Sequence, residues 1–167
     1  MEILAPNRNF ERSYREYINE LGDEERYPFP MSFEYSDFGA LLEKLENFAT
    51  ESGIPAGFVP ATTYWLVHGS ELIGVSNLRH YLNDTLQHSG GHIGLGIRPS
   101  YRGKGLGKLL LTETVGKARE MGISQVHIHC EKDNVRSARM IVSSGGVLES
   151  EVVDEGTALQ RYIVHAT

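Results

Sequence analysis

A single cysteine, Cys130, stands in a chain of 167 residues, so no disulfide can form within it. That usage fits a reducing compartment, and the core must be held by packing. No apolar run approaches the roughly 18 residues a membrane span requires, which excludes a membrane partner of that kind. The opening Met1-Glu2-Ile3-Leu4-Ala5-Pro6-Asn7 has neither the basic nor the apolar region of a secretory signal, so the expected location is cytoplasmic. Basic charge is scarce as well: 16 lysines and arginines against 22 aspartates and glutamates leave a net charge of -6. Phosphate backbones are held by basic surface, so the balance argues against nucleic acid as a partner while leaving a small cationic substrate open. Internal repeats and low-complexity segments are also missing.

What is present is ordinary for one globular domain: 40% hydrophobic and 23% charged residues over residues 1–167. Phe10, Tyr14, Tyr17, Ile18 and Leu21 share one helical face, with Gly22 placed to end the helix. After an irregular stretch with Pro28 and Pro30, a second stripe, Phe38, Leu41, Leu42, Leu45 and Phe48, follows a Ser36 or Asp37 cap. Thr62 to Val67 and Leu72 to Leu78 read as a β-hairpin, His80 to Gly91 as a polar connection, and His92 to Ile97 as a strictly alternating strand. One face of that strand is Ile93, Leu95 and Ile97; the other, Gly94 and Gly96 beside His92, is nearly bare, as where a ligand approaches backbone closely. A helix from Leu106 to Gly122, a strand from Gln125 to Cys130, a helix from Asn134 to Ser144 and a closing antiparallel pair complete the chain.

The join between that strand and helix is Arg102-Gly103-Lys104-Gly105-Leu106-Gly107-Lys108. Glycine costs about 1 kcal/mol against alanine inside a helix, so alternating glycines at a helix start need a reason. A helix N-terminus offers unpaired N–H groups and the positive end of a dipole, and Arg102, Lys104 and Lys108 add charge, so a phosphate or pyrophosphate is the natural guest. Two phosphate motifs fail on spacing. A Walker loop ending at Lys108 needs glycine at 102 and Ser or Thr at 109, where Arg102 and Leu109 stand. A dinucleotide fingerprint starting at Gly103 needs a small residue where Lys108 stands.

The stretch Arg98-Pro99-Ser100-Tyr101 through Leu111 resembles the acyl-CoA signature, [Arg/Gln]-x-x-Gly-x-[Gly/Ala], of the GNAT superfamily of N-acetyltransferases, with Arg102, Gly105 and Gly107 in the defining places. The segment Glu131 to Gly146 is similar to that family's second segment, where an asparagine after a strand opens a helix. The resemblance implies a single-domain α/β fold, a mixed and mostly antiparallel twisted sheet flanked by helices, and transfer of an acetyl group from acetyl-CoA directly to an amine of a small molecule or peptide. It implies that backbone N–H groups from Gly103, Lys104, Gly105, Leu106, Gly107 and Lys108 hold the CoA pyrophosphate. Leu95, Gly96 and Ile97 would bond the pantetheine arm as an added strand, with Asn134 and Ser137 on its other side. It implies no metal, and it accommodates a homodimer. Many members carry a tyrosine seven positions after the asparagine to protonate the leaving thiolate; here that residue is Ile141, which keeps open a catalytically weak acyl-CoA-binding regulatory module.

An acceptor amine needs a proton acceptor, and the strand where the family often carries a carboxylate has none. His92 at its start is the expected base, with His80 second. His127 and His129 alternate on one strand and could bind zinc, but no third ligand has a recognisable spacing. Cys130 points away from both and reads as a core residue; Glu149, Glu151, Asp154 and Glu155 form an acidic run near the closing hairpin that could attract an amine.

Overall fold

A computed structural model describes residues 1–166. A short strand β1 (Glu2–Leu4) leads through a 3-10 turn into helix α1 (Glu11–Leu21), and a second 3-10 turn (Phe29–Ser32) precedes α2 (Phe38–Ala49). Hairpin β2 (Ala61–His68) and β3 (Glu71–Arg79) follows, then α3 (Asp84–His88) and β4 (Ile93–Ile97). Helix α4 (Leu106–Glu120), β5 (Gln125–Glu131), α5 (Val135–Ser143), β6 (Val147–Asp154) and β7 (Thr157–His165) complete the fold. The helical stripes form as their periods dictate, and Asp37 caps α2 by accepting the N–H of Ala40. Two short elements escape the sequence pattern: β1, which pairs along β2, and α3, capped by Asn83 inside the stretch read as a polar connection.

The strands divide into a four-stranded sheet, β1-β2-β3-β4, and a three-stranded sheet, β5-β7-β6, with every pair antiparallel. Helices α1 and α2 cover one face, where Tyr14 stacks on Trp65 with ring centres 5.7 Å apart and Phe38 packs edge-on to Tyr14. The other face carries α4 and α5, whose Leu111, Ala118 and Ile141 meet Leu78, Ile93, Val126, Ile128 and Tyr162. Between α4 and β3 the buried Ser76 and Thr114 hydroxyls bond each other at 2.8 Å.

Among the described residues, the backbone hydrogen bonds between the two sheets lie at the start of β4. His92 N–H donates to His127 O at 2.7 Å, and beyond that point β4 and β5 part. The hydrogen-bonding phase decides what the parting strands present. Arg79 N–H bonds His92 O and Arg98 N–H bonds Ile73 O, so the His92 carbonyl and the backbone polar groups of Gly94, Gly96 and Arg98 turn to β3, while the His92 N–H turns to β5. Ile93, Leu95 and Ile97 turn theirs to the gap. On the facing strand, Ser124 O and Lys132 N–H bond β7 and its continuation, so His127, His129 and Glu131 face the gap.

Candidate active site

The open end of this gap runs into the glycine loop. A groove of about 280 Å³ is lined by Leu95, Gly96, Ile97, Tyr101, Arg102, Gly103, Gly105, Leu106, Gly107, Arg136, Ser137 and Met140. Gly105 caps α4 with φ +77 and no side-chain cap bond, and Gly103 has the same φ, a left-handed backbone that side chains other than glycine adopt with strain. A Cβ at either would meet no atom within 4 Å, so the space above both is open. The first-turn N–H groups of α4 thus face outward without a side-chain cap, the arrangement that suits an anion.

The loop is braced from below. Arg98, 6% exposed, reaches Glu20 at 2.6 Å and donates to Ser13 Oγ at 3.2 Å, while Ser100 N–H bonds Glu20. Burial alone would raise the Glu20 carboxyl, but these donors hold it below its ordinary value. Of the three expected cations, Arg102 donates to Ile97 O and pairs with Glu24 at 2.8 Å, so it shapes the loop. Lys104 bonds Ser100 O and lies over the Tyr101 ring, whose hydroxyl bonds Glu71. Arg136, exposed on the first turn of α5, is a groove cation the sequence reading passed over. Its pairing with Arg139 on one helical turn after Asn134 is the signal that could have found it. Asn134 caps α5 by accepting Ser137 N–H at 3.1 Å and lines an adjoining cavity with both arginines.

The bare glycine face has a different cause from the one expected. A Cβ on Gly96 would lie 2.4 Å from Tyr27 O, and one on Gly94 would lie 2.9 Å from the Tyr27 hydroxyl, so the chain's own Tyr27-Pro28 segment occupies that face. The edge of β4, and not its face, is what stays free for a ligand. Of the expected arm-binding residues, Leu95 and Ile97 present backbone to the gap, with Ile97 O already held by Arg102, while Gly96 bonds toward β3.

At the closed end the histidines gather. A cavity of about 350 Å³ is lined by His80, Tyr81, Leu82, Gln87, His92, Ile123, Ser124, Gln125 and His127. His92, 7% exposed, accepts the N–H of His127 on Nδ1 at 2.9 Å. Its neutral ring therefore carries the proton on Nε2, and its lone pair is in use. Burial first, then His127 and Arg79, push its pKa down to about 4. His80 meets the Thr62 hydroxyl with Nε2 at 2.8 Å, keeps Nδ1 without a protein partner among the described residues, and is lowered by burial. His129 has both ring nitrogens buried and unpartnered. Ile141 is buried in the core, and so is Cys130, whose thiol burial pushes up. Among the described residues no group of three or more His, Cys, Asp or Glu is placed to hold a metal.

An α/β fold whose sheet parts beside an uncapped, glycine-built helix start fits the family that the sequence resembles. The family model described as "Acetyltransferase (GNAT) family" matches residues 14–145, and the chain belongs to that family. Comparison with curated proteins gave no match. Among solved structures, ribosomal-protein-S5-alanine acetyltransferase from Vibrio fischeri is similar at a TM-score of 0.72 and 13% identity, over 98% of this chain and 92% of that one. The yncA structure from Salmonella typhimurium, which contains its cofactor acetyl-CoA, gives 0.68 and 16% over 99% and 94%. A spermidine N-acetyltransferase SpeG mutant from Vibrio cholerae gives 0.66 and 15% over 99% and 95%. At these identities the likeness is one of fold.

Proposed function

We propose that the chain moves an acetyl group directly to an amine of a small molecule or peptide bound at the closed end of the gap between β4 and β5. The observation that carries this is the pair of strand edges left without a strand partner, Leu95 and Ile97 on β4 and His129 and Glu131 on β5, beside the uncapped start of α4. Acetyl-CoA, when bound, supplies an acetyl group activated as a thioester. The N–H groups from Gly103 to Lys108 hold its pyrophosphate, with Arg136 supplying exposed positive charge and Arg102 fixing the loop. Leu95 and Ile97 bind the arm by strand addition, and Ser137 with Asn134 closes the other side.

Of the two histidines expected to take the amine proton, His80 is ahead of His92. His80 lines the cavity, and with Nε2 donating to the Thr62 hydroxyl its Nδ1, without a partner among the described residues, can take the proton directly or through a water, whereas His92 gains a proton only by releasing His127. A thiol with an ordinary pKa near 8.5 leaves as thiolate without a dedicated acid, so Ile141 in place of a tyrosine is compatible with turnover.

Calorimetry with acetyl-CoA, followed by an amine panel read by release of free CoA, tests the reading. Binding with turnover of at least one amine supports it. Tight binding with no release across a broad panel would instead make the chain an acyl-CoA-binding regulatory module.

A further inference from the structure

The face of the gap that carries the histidines also holds a cation without an anion. Arg79, largely buried at the end of β3, gives Nη1 to Gly90 O at 3.2 Å and Gly91 O at 2.9 Å. Among the described residues no carboxylate lies within ion-pair distance of it, and burial lowers its pKa. Buried charges are ordinarily paired, and a guanidinium pairs best with a carboxylate taken by two N–H groups. Around it, besides the neutral Tyr27, the ionisable groups are bases, and burial keeps His92 and His129 neutral near pH 7. His129 feels His127 on its own strand, Arg161 on β7, Arg79 on β3 and His92, with no acid among them. Arg161 is held by Ser150 Oγ and Gln87 O, also without a carboxylate partner among the described residues. Glu131 on β5 and Glu25 near Tyr27 are exposed, while Glu151 and Asp154 of the acidic run are engaged by Lys132 and His88.

His129 adds an independent observation. One of its neutral ring nitrogens must donate and the other must accept, and both are buried without a partner. An N–H seeking an acceptor and a lone pair seeking a donor, beside an unpaired guanidinium, match a molecule that brings a carboxylate and an amine within a few bonds of each other.

We infer that the acceptor is an amine that also carries a carboxylate, an amino acid or a close analogue, with the carboxylate bound by Arg79 and the amine held beside His129. Resting on the acetyl transfer proposed above, this sets the chain apart from polyamine acetylation, which would bring further positive charge to a face already cationic.

The test compares amino acids with their decarboxylated counterparts, phenylalanine with phenethylamine for example, and with spermidine, at equal free-amine concentration. Two quantities are read: kcat/KM for CoA release, and affinity for the protein–CoA complex by calorimetry. The expected result is a preference of about 10²-fold or more for the carboxylate member of at least one pair, in both measurements. Arg79→Gln should bring that preference to within a few-fold, and Arg79→Lys should retain part of it, with acetyl-CoA affinity unchanged. Thermal unfolding of both variants controls for the Gly90-Gly91 turn, and the wild-type comparison stands without either. Equal or better use of phenethylamine-type amines or spermidine overturns the inference and leaves acetyl transfer standing. If acetyl-CoA binds and no amine turns over, the transfer reading falls, while the affinities still decide for or against the carboxylate.

Discussion

The gap between β4 and β5 has two ends made by different means. The open end is made of backbone: the uncapped first turn of α4, two left-handed glycines and the edge of β4. Its side chains mostly brace, Arg98 on Glu20 and Arg102 on Ile97 O and Glu24. The closed end is made of side chains from separate elements, His80 and Arg79 from the end of β3, His92 before β4, and His127 and His129 from β5. An end built of backbone serves a group common to a whole family, because every chain has the same N–H groups to offer. An end built of side chains can differ from protein to protein, and there acceptor choice resides.

Four measurements would sharpen or break this contrast. The largest effect is expected at the closed end, where burial holds His92 at about 4 against an unfolded value near 6.5. The unfolded chain then binds more protons between those values, so stability is full above pH 6.5 and is lost as pH falls toward 4. The loss reaches about 3 kcal/mol for His92. Thermal unfolding from pH 7.5 to 4.5 should show it, and His92→Gln should reduce the slope while His129, also lowered by burial to about 4, keeps the rest; a wild-type midpoint that does not move would mean that both rings are hydrated. Next, His80→Ala should lower kcat about 10²-fold with acetyl-CoA affinity within twofold. Because burial lowers His80, the acidic limb of the wild-type rate profile should lie below pH 6.5. Full activity in that variant, together with a comparable loss in His92→Ala, would return the role to His92.

At the open end, Gly105→Val should weaken acetyl-CoA binding at least tenfold, about 1.4 kcal/mol. Gly105→Asn tolerates φ +77 better and should lose less, separating backbone strain from blocked approach. The smallest effect is at α5: Asn134→Ala removes the acceptor for Ser137 N–H and should cost about 1 kcal/mol in urea unfolding.

The same contrast explains what was legible in the sequence. Glycines at 103, 105 and 107 before a leucine-rich helix announce an open end, because only a special backbone calls for them. The long helices and the two hairpins follow from period and turn chemistry. β1 is three residues long, too short to show a period, and α3 has only five residues behind Asn83. The alternation along β4 shows that its glycine face has no side chains of its own, but the filler, Tyr27, stands 69 positions before Gly96 in the sequence and nothing local connects them. Arg79 falls between the strand read to Leu78 and the connection read from His80, and no motif marks it. Only the fold brings it to Gly91 and His129, and only the fold shows that it has no acid beside it.

The Arg98–Glu20 pair joins residues 78 positions apart, and through Ser100 N–H it fixes the entry to the glycine loop. A contact that closes so long a stretch of chain forms only when α1 has docked, so the cradle has no local folding nucleus of its own. A peptide covering β4 through α4 would hold every glycine of the loop but neither Glu20 nor Glu24. Affinity for the pyrophosphate is in this sense a property of the whole molecule, and opening of the N-terminal third and release of the cosubstrate should be thermodynamically linked, each measurable through the other.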